Sequence, residues 1–129
     1  MTLDEFNFDV LLDSDGLPTE EFLNFIEKFE PRNIDEVYKF FLDFIKPVWG
    51  FAVSGFKLKR RYGGIRKLEL HTSGWRSNEI IIESIIKNPY LTYSYSKYVK
   101  WTVGGHYYFE IEGIYPKNTK EYLRNRGLL

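Results

Sequence analysis

At Gly50 the spacing of apolar residues changes, and this change constrains the fold more than any other feature of the chain. Before it, apolar side chains recur at helical intervals: Phe22, Leu23, Phe25, Ile26 and Phe29, then Ile34, Val37, Tyr38, Phe41, Phe44 and Ile45. After it they alternate: Phe56 and Leu58, then Leu68 and Leu70, interleaved with Lys57, Lys59, Lys67 and Glu69. A repeat of about 3.6 residues lines one side of a helix, whereas a repeat of two lines one face of a strand. The chain therefore predicts helices first and a sheet afterwards, the pattern of an α+β fold.

Local signals place the elements. Asp13-Ser14-Asp15-Gly16-Leu17-Pro18 reads as a turn into a first helix, with Thr19 as N-cap and Glu20 and Glu21 at the positive end of its dipole. Pro31 ends that helix. Asn33 and Glu36 form a capping box for a second, which Pro47 stops. Tyr62-Gly63-Gly64 marks a hairpin, and a three-residue bulged loop sets Leu58 opposite Leu68 on one apolar face. Ser77 caps a third helix, with Ile81, Ile82, Ile85 and Ile86 inward, and Asn88-Pro89 ends it.

A long strand follows, with Tyr93, Tyr95, Val99, Trp101 and Val103 on one face and Ser94, Ser96, Tyr98, Lys100 and Thr102 on the other. Gly104-Gly105 turns it, through a second bulged loop, into Tyr107, Phe109 and Ile111. Asn118 and Glu121 start a last helix with Tyr122 and Leu123 on its apolar side. The expected order is α-α-β-β-α-β-β-α: one antiparallel sheet of two hairpins, with helices on one face. Gly63-Gly64-x-x-x-Leu68-Glu69-Leu70 recurs as Gly104-Gly105-x-x-x-Phe109-Glu110-Ile111. Either a duplicated hairpin–helix unit or hairpin propensity alone accounts for this echo.

Charge divides at the same place. Residues 1–45 carry 12 acidic and 3 basic side chains, a net of −9, and residues 46–129 carry 6 acidic and 15 basic, a net of +9. The division implies a charged partner, or two parts of one molecule that face each other. At 129 residues, with 43% hydrophobic and 19% aromatic residues, one domain over 1–129 is expected, formed by an acidic segment (1–47) and a basic one (48–129). Zero cysteines exclude disulfides, thiolate metal sites and cysteine nucleophiles. No apolar run is long enough for a membrane span, and Met1 leads straight into Asp4, Glu5 and Asp9, so a cytoplasmic location is expected.

Few residues carry chemistry. By strand parity His71 and His106 point away from the core, His71 beside Glu69 and His106 beside Tyr108 and Glu110. An imidazole there can act as acid, base or ligand, or simply bond a neighbouring carboxylate or carbonyl. The segment His71-Thr72-Ser73-Gly74-Trp75-Arg76-Ser77-Asn78-Glu79 joins a strand to a helix N-terminus, where free N–H groups with Arg76, Ser77 and Asn78 suit an anion and Trp75 suits stacking. It also reads as a capped loop with Trp75 in the core. His71-x-Ser73 resembles half of the paired motif of 2H phosphoesterases, but Tyr107 and Tyr108 follow His106 where the second half needs Ser or Thr.

Asp13-x-Asp15-Gly16 resembles part of a calcium loop, but Leu11 stands where an acid is required. No metal site and no cofactor are expected. Lys57, Lys59, Arg60, Arg61, Arg66 and Lys67 cluster at the first hairpin, and Tyr98, Lys100, His106 and Tyr108 share a face of the second. Cations and aromatics on an open sheet hold single-stranded nucleic acid by phosphate contacts and stacking, although the same cations also serve to pair with the acidic helices.

The run His71-Thr-Ser-Gly-Trp-x-Ser-Asn-Glu79, with Gly104-Gly-His-Tyr107, resembles a family of small bacterial and phage proteins. These share an HTxGWSxNE-type segment and a GGHY-type hairpin. The likeness spans roughly residues 17–112, with Arg76 in place of the family's usual Ser and Val103 where an Arg often stands. The resemblance implies a phage or prophage setting and no assigned activity.

From these features the first expectation is a non-enzymatic binding protein that modulates a host protein, for example an inhibitor of a defence system, through His71, Trp75, Arg76, Ser77, Asn78, Glu79 and His106. The second is a nucleic-acid-binding module using Lys59, Arg60, Arg61, Tyr98 and Tyr108. The third is a small phosphodiesterase or hydrolase using His71, His106 and Glu79, which requires the two imidazoles to share a site.

Overall fold

The computed structural model describes residues 1–6, 11–50, 52–60, 66–111 and 119–129, without the side chains of residues 52, 53, 60 and 119. After a short 3-10 turn at Leu3–Glu5 come helices α1 (Glu20–Lys28) and α2 (Ile34–Lys39), a π-helical stretch (Phe40–Ile45), and short helices α3 (Lys46–Val48) and α4 (Ala52–Gly55). The first hairpin is β1 (Phe56–Arg60) and β2 (Arg66–His71). Helices α5 (Arg76–Ile86) and α6 (Pro89–Tyr93) lead to β3 (Ser96–Thr102), β4 (His106–Ile111) and α7 (Thr119–Asn125). The fold is α+β, as the change of period implies.

The Thr19 hydroxyl accepts the Phe22 N–H at 3.2 Å and starts α1, which buries Phe22, Phe25 and Ile26. Asn33 Oδ1 accepts the Glu36 N–H at 3.0 Å, the first half of the expected capping box. The second half differs. Glu36 does not reach back to Asn33 but accepts the Arg32 N–H at 2.7 Å and holds its guanidinium at 2.8 and 2.5 Å. Burial pushes the Glu36 carboxyl up, but hydrogen bonds from the Arg32 side chain and backbone, with the charges of Arg32 and Lys39, together outweigh it and hold the carboxyl below its ordinary range.

Pro47 does not stop the second helix. The chain widens into π turns, in which the Lys46 N–H bonds the Phe41 carbonyl five residues back, and helix continues to Val48. A proline blocks a helix through its missing N–H and its clash with the carbonyl four residues earlier, and the wider turn relieves that clash. The stretch buries Phe40, Phe41, Phe44 and Ile45. Phe29 and Phe40 stack at 4.9 Å, and Phe25 lies 5.2 Å from Phe44, within the range of favourable ring pairs.

The sheet is fully antiparallel in the order β1-β2-β4-β3. Leu58 lies opposite Leu68, as expected, although the loop that sets this register (61–65) lies outside the described residues. Leu68 in turn lies opposite Phe109, so the echoed strands β2 and β4 pair at the centre about a local two-fold axis. Leu68, Leu70, Phe109 and Ile111 are fully buried against the helices, with Phe109 6.2 Å from Phe41. Helix α7 adds Leu123 to the same core, and its expected cap, Asn118, lies outside the described residues.

Two corrections concern the second hairpin. Asn88 does not merely end a helix. Its side chain accepts the Tyr90 N–H at 2.9 Å to start α6, and donates to the Ile26 and Phe29 carbonyls at 2.7 and 2.9 Å. Tyr93 therefore belongs to a helix, and β3 starts only at Ser96. Within β3 a bulge lies between Tyr98 and Lys100, so Tyr98 pairs with Phe109 while Lys100 pairs with Tyr108. One extra residue reverses the parity of everything before it. Tyr98 accordingly faces the helices, 5.4 Å from Phe109, and not the open side. Val99, expected inside, is 48% exposed at the bulge.

Candidate functional site

The sheet has one face turned away from the helices, and register defines what it carries. Its end row is His71 on β2, His106 on β4 and Thr102 on β3. The next row is Lys57, Glu69, Tyr108 and Lys100, and the third is Lys59, Lys67, Glu110 and Lys97. Lys57, Lys59, Lys97 and Lys100 are exposed, and the residues between them are half-exposed. Lys59 and Lys67 approach Glu69 at 3.9 and 3.8 Å. The Lys67 and Lys100 ammoniums lie 5.0 and 4.9 Å from the Tyr108 ring centre. Beside Tyr108 is a shallow depression of about 250 Å3 lined by Lys67, Val99, Lys100, Tyr108, Phe109 and Glu110.

The two histidines meet. Directly opposite each other in the ladder, their rings stack 3.9 Å apart at an angle of 10°. His71 Nε2 lies 2.9 Å from the Gly104 carbonyl, which only accepts, so this nitrogen carries the hydrogen. Nδ1 is left facing Ser73 Oγ at 3.5 Å. Ser73 sits at φ 54°, a left-handed conformation uncommon for a residue with a side chain.

A buried frame holds the end row. Thr72 N–H donates to the Gly105 carbonyl at 3.0 Å, and a Cβ on Gly105 would lie 2.3 Å from Thr72 Oγ1, so only glycine fits this crossing. Trp49 Nε1 donates to the His71 carbonyl at 3.1 Å. Asn78 accepts the Gly50 N–H at 3.0 Å and donates to the Gly50 and Thr72 carbonyls, both at 3.2 Å. A Cβ on Gly50 would lie 3.1 Å from the Trp75 ring. In the sequence Gly50 marks only the change of period, and Trp49 beside it carries no periodic signal of its own. The signal that marked them was a glycine beside a tryptophan just before the first strand.

The expected site residues separate accordingly. His71, His106, Lys59 and Tyr108 share the open face. Trp75 is 50% exposed at the rim, and Arg76 is exposed beside it. Asn78 is fully buried and spent on the frame, so it positions the loop and is out of a ligand's reach. Ser77 does not cap the helix. The N-cap is Trp75, whose indole has no acceptor, and Ser77 is buried with its hydroxyl unpartnered among the described residues. Glu79 lies on the helical side. There burial, followed by the charges of Glu79 and Glu83, raises the Tyr107 phenol above its ordinary range. Arg66 is also on that side, 4.7 Å over the Tyr38 ring. Arg61 and the side chain of Arg60 lie outside the described residues.

The three residues of the hydrolase expectation are thus not assembled: the histidines share a site, and Glu79 is on the far side of the sheet. What the site offers is an ordered pair of imidazole edges at the end of a cationic, aromatic surface. Compared with protein-family models, curated proteins and solved structures, the chain matches none of them. No helix among the described residues is long and apolar enough to cross a membrane.

Proposed function

We propose that the protein is a non-enzymatic binding module whose open sheet face takes single-stranded nucleic acid. One observation carries the reading. Among the described residues the acidic helices lie on the apolar side of the sheet, and no described helix covers Lys57, Lys59, Lys67, Lys97 and Lys100 around Tyr108. These five lysines therefore sit across the sheet from the acidic helices, whereas Arg66 and Lys120 lie on the helical side, Lys120 3.8 Å from Glu30. On binding, a base stacks on Tyr108 over the adjoining depression, and the Lys67 and Lys100 ammoniums leave the ring for the flanking phosphates.

Fluorescence anisotropy with single- and double-stranded DNA and RNA at low and physiological salt tests this. The expected result is preference for single strands, with log K falling by about 0.7 per phosphate contact for each decade of salt. Absence of binding at low salt would sink it. A second reading, capture of a protein, draws on the exposed rim of Trp75, Trp101 and Val103 at the histidine end. It predicts that oligonucleotides fail while Trp75→Ala abolishes capture of the protein partner.

A further inference from the structure

The histidine pair is not explained by the needs of the fold. Among the described residues His106 has no hydrogen-bond partner for either ring nitrogen, yet its ring is held in one plane by the His71 ring 3.9 Å below it. His71 is itself fixed through Nε2 by the Gly104 carbonyl and through its own carbonyl by Trp49 Nε1, and the next residue, Thr72, donates its N–H to the Gly105 carbonyl. An imidazole ordered this way, half-exposed and with its nitrogens unclaimed by any described residue, is available to a ligand. Its surroundings select the ligand's charge. Tyr108 lies two residues along β4, about 7 Å away, and Lys57 and Lys100 flank that next row. Glu69 is the carboxylate in that row, and Lys59 and Lys67 approach it.

We propose that His106, stacked on His71, is a phosphate contact at the end of the open face. It rests on the nucleic-acid reading only in where the phosphate comes from. His106 donates a ring N–H to a phosphate oxygen. His71 is the positioning residue: it keeps the His106 ring edge toward the ligand and does not touch the ligand itself. The phosphate is either one in the backbone of a strand whose base lies on Tyr108 or one at the end of that strand, and oligonucleotides bearing a 5′-phosphate, a 3′-phosphate or neither distinguish the sources.

The experiment follows the imidazole nitrogen and ring-proton resonances of the full chain during titration with inorganic phosphate, then with the three oligonucleotides. The expected result is a phosphate-dependent shift of the His106 signals. His106→Asn should weaken oligonucleotide binding about ten-fold, as for loss of one hydrogen bond to a charged group. His71→Asn, which leaves His106 in place, should lose part of that affinity and broaden the His106 signals. Dispersed amide spectra of both variants establish that the sheet is intact. If oligonucleotides bind while the His106 signals stay still and His106→Asn binds normally, the phosphate contact is overturned and the nucleic-acid reading stands. If inorganic phosphate shifts His106 but no oligonucleotide binds, the contact stands and the nucleic-acid reading falls.

Discussion

Replacing Asn78 by alanine tests whether the frame behind the histidines is as strong as its geometry. The side chain is fully buried and makes three hydrogen bonds, to the Gly50 N–H, the Gly50 carbonyl and the Thr72 carbonyl. Alanine leaves the Gly50 N–H and carbonyl without the partner Asn78 supplies, while the Thr72 carbonyl keeps the Trp75 N–H at 2.9 Å. An unsatisfied buried polar group costs about 1–3 kcal/mol. Gly50 is half-exposed, so water reaches its two groups and each costs about 1 kcal/mol; the lost bond to Thr72, whose carbonyl stays satisfied, costs about 1 kcal/mol. The sum, about 3 kcal/mol, is a large share of a typical domain stability of about 5–15 kcal/mol. Urea unfolding should show the midpoint falling at unchanged slope, and thermal unfolding a loss of roughly 10 °C. Asn78→Asp should be no better, because it keeps the acceptor for Gly50 but sets a carboxylate against two carbonyls. A loss below about 1 kcal/mol for Asn78→Ala would refute the assignment of these bonds as the frame.

Two further outcomes follow from single contacts. Glu36 titrates below its ordinary range in the folded protein, so it contributes stability above the unfolded carboxyl value of about 4.3, and that contribution is lost as pH falls through the lower folded value. Glu36→Gln should therefore lower stability near neutrality by about 1 kcal/mol, discounted for the 58% exposure of Arg32, and should flatten the acid limb of the urea midpoint against pH. Tyr108→Ala should weaken single-strand binding by about 1–3 kcal/mol, whereas Tyr98→Phe, behind the bulge, should leave it unchanged in the same anisotropy assay. Equal losses at the two tyrosines would mean that the wrong face has been assigned.

Much of the site was legible because strand parity is a local property. The alternation from Phe56 to Leu58 and from Leu68 to Leu70 put His71 beside Glu69 and away from the core, and the Gly-Gly turn did the same for His106. Tyr98 was misplaced because a bulge has no signature in alternation: an inserted residue is identical in sequence to a continued strand. Asn78 and Ser77 looked like helix-start ligands because polar residues at an N-terminus serve either a ligand or the backbone, and only the position of Gly50, 28 residues earlier, decides which. Glu36 was read as capping its own helix, yet the guanidinium beside it was a stronger partner than Asn33 N–H.

Sequence alone determined the class of fold, the two hairpins, the register of the first and the separation of charge along the chain. Each depends on residues near one another, where period, turn chemistry and capping act over a few positions. Tertiary structure decided that β2 and β4 pair at the centre, and so that His71 and His106 stack although 35 positions separate them. It also decided which side of the sheet the acidic helices cover. Both depend on how apolar faces meet across the chain. The helices bury their phenylalanines against Leu68, Leu70, Phe109 and Ile111, and burial of that face leaves the cationic one exposed.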